Sequence, residues 1–121
     1  MGFCWATIHV SNLDESVRFY RDIVGLPVDR RYTSGPYVEI AFIGEGQTLV
    51  ELLYNSQETE HHIGDSISLG FTVESLEKKM NELAQRHVSI FSGPFWPNST
   101  IGFFYVLDPD GTMVQFVENK G

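Results

Sequence analysis

One cysteine, Cys4, in 121 residues leaves no partner for an internal disulfide, so the fold must rest on its core and suits a reducing cytoplasm. Basic residues are scarce: eight Lys and Arg stand against sixteen Asp and Glu, for a net charge of −8. A protein that tracks nucleic-acid phosphates needs a basic face, and this balance argues against one. An acidic balance accords with a cationic ligand, and it also serves solubility. No apolar run approaches the roughly 18–20 residues of a membrane span. The first residues lack the basic segment and apolar stretch of a signal peptide. No Ser-His-Asp arrangement or phosphate-cradling glycine motif stands out, and Gly44-Glu45-Gly46 is a turn with no helix after it. What is present is an ordinary globular balance, 42% hydrophobic and 20% charged, at the length of one domain.

Residues 3–10 read as a strand, with Trp5, Thr7 and His9 on one face and Ala6, Ile8 and Val10 on the other. Asn12 followed by Glu15 marks a capping box, after which Leu13, Val17, Tyr20 and Val24 fall at helical spacing. Gly25 suits the left-handed position beyond the helix, and Pro27 prevents its resumption. Strands follow at 28–33, 37–43 and 48–54, separated by turn residues. After a polar loop at 55–65 the order begins again, with a strand at 66–73 and a helix capped by Ser75. Leu76, Met80, Leu83 and Ala84 line that helix, and strands at 88–91, 101–107 and 112–118 complete the chain. Asp108-Pro109-Asp110-Gly111 forms the last hairpin turn.

This is an internal repeat. Residues 10–14 match 73–77 at an offset of 63, and Leu49-Val50-Glu51 matches Met113-Val114-Gln115 at 64. Half-domains of about sixty residues bury too little surface to stand alone, so the two should pack together. The expected class is α+β: two tandem β-α-β-β-β modules, at about 3–54 and 66–118, joined by a linker at about 55–65. They form a curved, mostly antiparallel sheet with helices outside and a concave cavity within, where a ligand would sit.

The segments Val10 through Tyr20, Val24-Gly25-Leu26 and Asp108 through Gly111 resemble the vicinal oxygen chelate superfamily, in order and over almost the whole chain. That superfamily includes glyoxalase I, ring-cleaving dioxygenases, methylmalonyl-CoA epimerase, fosfomycin-modifying enzymes and bleomycin-binding resistance proteins. Residues 49–55 are particularly similar to glyoxalase I. The resemblance implies a single domain over 1–121, and a divalent metal held by His or Gln, Glu, His and Glu, one on each of four strands. Those positions fall here on Trp5, Glu51, Ser68 and Gln115, and the repeat pairs them the same way, Trp5 with Ser68 and Glu51 with Gln115. One of the four family ligands survives. Trp5 cannot coordinate a cation, Ser68 is a poor neutral ligand, and Gln115 offers only a carbonyl oxygen.

The leading expectation is therefore a small-molecule-binding protein without a metal, holding an organic ligand, cationic or aromatic, in the concave sheet. Trp5 and the loop pair Phe95-Trp96 would stack, Glu51 would supply charge, and His9, Ser68 and Gln115 would hydrogen-bond. Glu51 sits among Leu49, Val50, Leu52 and Leu53, where a carboxylate needs a partner, water or a proton; His9, Ser68 and Gln115 are the candidate partners. Glu51 is also the best candidate for a general base. The alternative is a glyoxalase I-like lyase or another divalent-metal enzyme, using Ni, Zn, Mn, Co or Fe on Glu51, Gln115 and His9. His9 lies about 13 Å along the strand from Trp5, which favours ligand contact over metal binding. A third reading is an inert module whose Trp5 plugs the cavity. His61-His62 looks like a metal pair, but adjacent side chains diverge and the acidic surroundings indicate a solvated loop. Cys4 is expected on the buried side with no base beside it. Family members often form dimers, which implies a homodimer here; no nucleic acid or membrane is expected as a partner.

Overall fold

Asn12 and Ser75 open the two helices. Asn12 Oδ1 accepts from the Glu15 amide at 3.0 Å, and Ser75 Oγ accepts from the Lys78 amide at 3.2 Å. The computed structural model describes residues 1–61 and 63–121. By its internal contacts the chain divides into two compact units, Met1–His62 and Ile63–Gly121, and the division falls inside the expected linker.

The first unit runs β1 (Trp5–His9), α1 (Leu13–Arg18), β2 (Val28–Ser34), β3 (Val38–Ile43) and β4 (Leu49–Asn55). Beyond α1 the same helix widens into π-helical turns over Phe19–Val24. Gly25 then closes it at φ +95°, where its amide and that of Leu26 both reach the Tyr20 carbonyl. The sheet order is β1-β4-β3-β2, with β1 parallel to β4 and the other pairs antiparallel. Val10, Leu13, Val17 and Tyr20 are buried, as are Ala41, Ile43, Val50 and Leu52 on strands that α1 packs against.

Strand β2 is exposed along its length and carries Asp29, Arg30 and Arg31, charges that protect an edge from unwanted pairing. Arg31 also ties the unit together. Its Nη2 donates to Asp14 Oδ1 at 2.6 Å and its Nε to Glu39 Oε2 at 3.0 Å. The hydrogen bond to Asp14, and secondarily the one to Glu39, raise the guanidinium pKa further above its ordinary value. The pairs remain open to solvent, so screening keeps their worth small. Arg31→Met is expected to cost about 0.5–1 kcal/mol in low salt, and less in 1 M NaCl, as read by thermal unfolding.

The second unit repeats the plan: β5 (Ser68–Thr72), α2 (Leu76–Gln85), β6 (Ser92–Phe95), β7 (Ile101–Leu107) and β8 (Met113–Asn119). Its sheet order is β5-β8-β7-β6, again with only the first pair parallel. Hydrogen bonding thus groups the strands into two four-stranded sheets, one in each unit, and antiparallel pairs predominate as expected. Leu76 and Leu83 of α2 are buried, as are Phe104, Val106, Val114 and Phe116 on the strands it packs against. Asp108 Oδ1 accepts from the Asp110 and Thr112 amides, which fixes the last hairpin turn.

Two local expectations are corrected. The strand expected at 88–91 is β6 at Ser92–Phe95, because an edge strand tolerates a proline that a central one would not, and Gly93-Pro94 therefore does not end it. On α2, Ala84 is exposed, and Lys79 takes the inward place beside Leu76 and Leu83 with its side chain only 10% exposed. Its aliphatic stem packs like an apolar residue while its ammonium lies 5.0 Å above the Phe116 ring.

Candidate functional site

In the first unit the register sets out the face opposite α1. Thr7 pairs with Glu51, Glu51 with Phe42, and Phe42 with Arg30, so these four side chains form one row across the sheet. Trp5 and His9 flank Thr7 on the same face of β1, as the alternation predicts, and all three are exposed. Phe42 is only 1% exposed because other groups cover it. The Trp5 ring meets it edge-on at 5.1 Å, Tyr32 stacks at 6.4 Å, and the Arg30 guanidinium lies 4.0 Å above the ring. Trp5 itself stays 43% exposed, so its indole forms a wall with open surface.

Glu51 is half-buried, and its Oε1 accepts from the Thr7 hydroxyl at 2.5 Å. Thr7 is not among the partners expected for Glu51, although its place between Trp5 and His9 on one strand face points to it. His9 is engaged elsewhere. Its Nδ1 lies 3.1 and 3.2 Å from the two oxygens of Glu58, which the loop after β4 folds back against the end of β1. His61 Nε2 approaches the same carboxylate at 3.4 Å without hydrogen-bond geometry, on a side chain 15% exposed. The loop is thus less solvated than expected here, because one carboxylate stands between two imidazoles. Of the His61-His62 pair, His62 lies outside the described residues. Cys4 is exposed rather than buried: β1 starts at Trp5, and Cys4 meets the sheet through its carbonyl, which accepts from the Leu49 amide at 2.9 Å.

In the second unit the corresponding row is Gly70, Gln115, Tyr105 and Ser92. Gln115 is half-buried and its Nε2 donates to the Tyr105 hydroxyl at 3.1 Å. Ser68, two residues before Gly70, is exposed on the same face. The Phe103 ring lies there too, 5.6 Å from Phe95 and 5.8 Å from Tyr105, beside an open recess of about 760 Å³. Trp96 borders that recess, but its ring lies against Gly102. Gly102 and Tyr105 are three residues apart on one strand and face opposite ways. The sheet of this unit therefore separates the Trp96 ring from Gln115.

The four positions that the resemblance assigns to a divalent metal carry few donor atoms. Glu51 is the one carboxylate, and one of its oxygens already accepts from Thr7. Gln115 offers only a neutral carbonyl oxygen while its Nε2 donates to Tyr105, Ser68 is a neutral hydroxyl, and the Trp5 indole has no free lone pair to donate. This donor set does not fit the metal of the family's enzymes. Among the described residues, no group of three or more His, Cys, Asp or Glu is arranged to hold a metal ion.

The chain is 28% identical over 121 residues to a probable lactoylglutathione lyase of Vibrio parahaemolyticus, covering 93% of this chain and 87% of that protein. It is 29% identical over 121 residues to a lactoylglutathione lyase of Haemophilus influenzae, with 93% and 89% covered. Among solved structures, glyoxalase I from Leishmania major superposes with a TM-score of 0.80 at 24% identity, over 99% of this chain and 87% of that one. Glyoxalase I from Zea mays superposes with a TM-score of 0.86 at 21% identity over 98% of this chain, which spans 45% of the maize chain. At these identities the structures show the fold alone. The family model described as Glyoxalase/Bleomycin resistance protein/Dioxygenase superfamily matches residues 2–116, and the chain belongs to that superfamily.

Proposed function

We propose that this protein binds a small organic ligand, cationic or aromatic, without a metal, on the sheet faces that carry Trp5, His9, Glu51, Ser68 and Gln115. The observation that carries the reading is the indole of Trp5 at the first metal-ligand position, half-open and packed edge-on against Phe42. An indole there supplies a stacking wall and takes the place of the His or Gln donor that the resemblance assigns to that position. Glu51 supplies negative charge, and the amide of Gln115, the hydroxyl of Ser68 and the imidazole of His9 supply polar contacts. His9 can do so only by sharing or releasing Glu58. Trp96 leaves the set, because its ring stands on the other face of its sheet. A homodimer in the cytoplasm belongs to the same proposal. Supporting it are the unpaired Cys4, the edge strands of both sheets, and the absence, among the described residues, of a helix long and apolar enough to cross a membrane.

Metal content tests it. The protein is incubated separately with nickel, zinc, cobalt, manganese and ferrous iron, desalted, and analysed by elemental mass spectrometry. The expected result is no retained metal, with organic ligands then found by a thermal-shift screen; a ligand at 100 times its Kd adds about 2.7 kcal/mol of stability. A tightly held, stoichiometric ion overturns the reading. The second reading, a glyoxalase I-like lyase, is favoured by the names of the lyases that match over 93% of this chain. In that case Glu51→Ala would release the ion and abolish isomerisation of a thiol–aldehyde adduct.

A further inference from the structure

Trp96 follows β6 and turns onto the α2 side of its sheet. A Cβ built at Gly102 would stand 2.5–2.6 Å from three carbons of the indole, so the ring lies with one face on bare backbone. It nonetheless keeps 42% of its surface exposed. Beside it runs a groove of about 430 Å³ between the first turns of α2 and the end of β8. Leu76, Met80 and Pro94 give this groove apolar surface, and Glu77 and Glu118 give it carboxylates. Glu118 is the fixed one. It is 13% exposed, and its Oε1 accepts from the Leu76 amide at 2.8 Å.

A cation already occupies this arrangement. The ammonium of Lys120 lies 4.6 Å from the centre of the Trp96 ring and 3.8 Å from Glu118 Oε2, on a side chain 57% exposed. The Lys120 backbone is held by its amide on the Thr100 carbonyl at 2.7 Å, so its head can leave the ring while its anchor stays. A π face, a fixed carboxylate and thioether or alkyl surface are the elements that recognise an organic ammonium ion. Two carboxylates against one displaceable ammonium favour a cation over an anion, and the net charge of −8 favours it further.

We propose that this groove is a second small-molecule site, specific for organic ammonium ions, in which Lys120 is the internal occupant that a ligand displaces. It is independent of the ligand face described above, since it lies on the other side of the sheet from Gln115. Trp96 stacks under the cationic head, Glu118 balances its charge, and Met80 and Pro94 contact its alkyl groups.

The test uses choline and its uncharged isostere 3,3-dimethylbutan-1-ol, at matched ionic strength. Trp5→Phe leaves Trp96 as the only indole, and Trp96→Phe leaves Trp5. With Trp96 as reporter, choline shifts the emission saturably and the alcohol does not. Adding Lys120→Ala tightens choline binding about threefold to tenfold by removing the resident competitor. Adding Glu118→Gln, which keeps an acceptor for the Leu76 amide, weakens it about tenfold. An equal response to the alcohol overturns the proposal. So does the lack of any saturable response with Lys120→Ala at choline concentrations up to about 0.1 M, where a site of this chemistry would be filled. A choline response reported by Trp5 but not by Trp96 also overturns it, and assigns the cation to the ligand face of the first unit.

Discussion

Phe116→Ala is expected to remove about 3–5 kcal/mol of stability. Phe116 is fully buried on β8, a strand paired on both sides, with the Phe104 ring 5.3 Å away. Truncation forfeits the transfer energy of the ring and leaves a cavity that two neighbouring strands cannot close. It also strips the surface beneath Lys79, whose ammonium lies 5.0 Å above that ring and 3.4 Å from Glu82 Oε1. The contrast is Lys79→Met, which keeps the unbranched stem and gives up the charge; its effect should stay within about 1 kcal/mol. A domain of this size has about 5–15 kcal/mol in total, so Phe116→Ala leaves a protein near its threshold. Urea unfolding measures both. A loss under about 1.5 kcal/mol for Phe116→Ala, at unchanged m, would show that the site collapses and that α2 does not rest on a rigid aromatic layer.

Lys79 also shows where periodicity misleads. An apolar pattern puts Leu76, Met80, Leu83 and Ala84 on the inward face of α2 and gives no place to Lys79. Helical geometry puts Lys79 three residues after Leu76 and four before Leu83, on the inward stripe, where a long stem with a polar tip fits well. Signals that act within a few residues transferred almost unchanged to the structure: the caps at Asn12 and Ser75, the left-handed Gly25, and the turn closed by Asp108. β6 moved because a glycine-proline pair reads as a turn unless the strand is known to be an edge, which is a property of the sheet and not of the segment.

The site divides along the same line. Alternation in β1 put Trp5, Thr7 and His9 on one face without any knowledge of a partner. The hydrogen bond from Thr7 to Glu51 joins residues 44 apart and exists only in one register of β1 against β4, which no local pattern specifies. The approach of Glu58 to His9 depends on the path of the loop after β4, which no local pattern specifies. Trp96 read as a cavity residue because it neighbours Phe95. The β6–β7 register shifts between Ser92 and Phe95, which leaves Phe95 opposite Phe103, and the alternation of an extended chain then sends Trp96 to the other face, onto Gly102.

That last contact makes Gly102→Ala the sharpest probe of the second unit. Gly102 has no positive φ, so alanine meets no backbone strain, and the loss of glycine's freedom in the unfolded chain alone would stabilise by about 0.4–1 kcal/mol. Sterics oppose this and win. The new Cβ falls 2.5 Å from the Trp96 ring, and the nearby backbone of β7 cannot yield without disturbing its pairing to β8. Overpacking of this kind costs about 1–3 kcal/mol, and the ring is the part free to move. In the Trp5→Phe background, Gly102→Ala should therefore shift the emission of Trp96 toward that of an indole in water. Lys120 would lose its π partner, and the choline response would disappear with it. Gly70→Ala separates this from a generic glycine effect, because its Cβ meets only the flexible end of Gln115, at 3.2 Å, and should leave Trp96 undisturbed. An unchanged Trp96 spectrum in Gly102→Ala would mean that the ring does not rest on this glycine. The wall of the ammonium groove would then be missing, and an organic cation would have nothing flat to sit against.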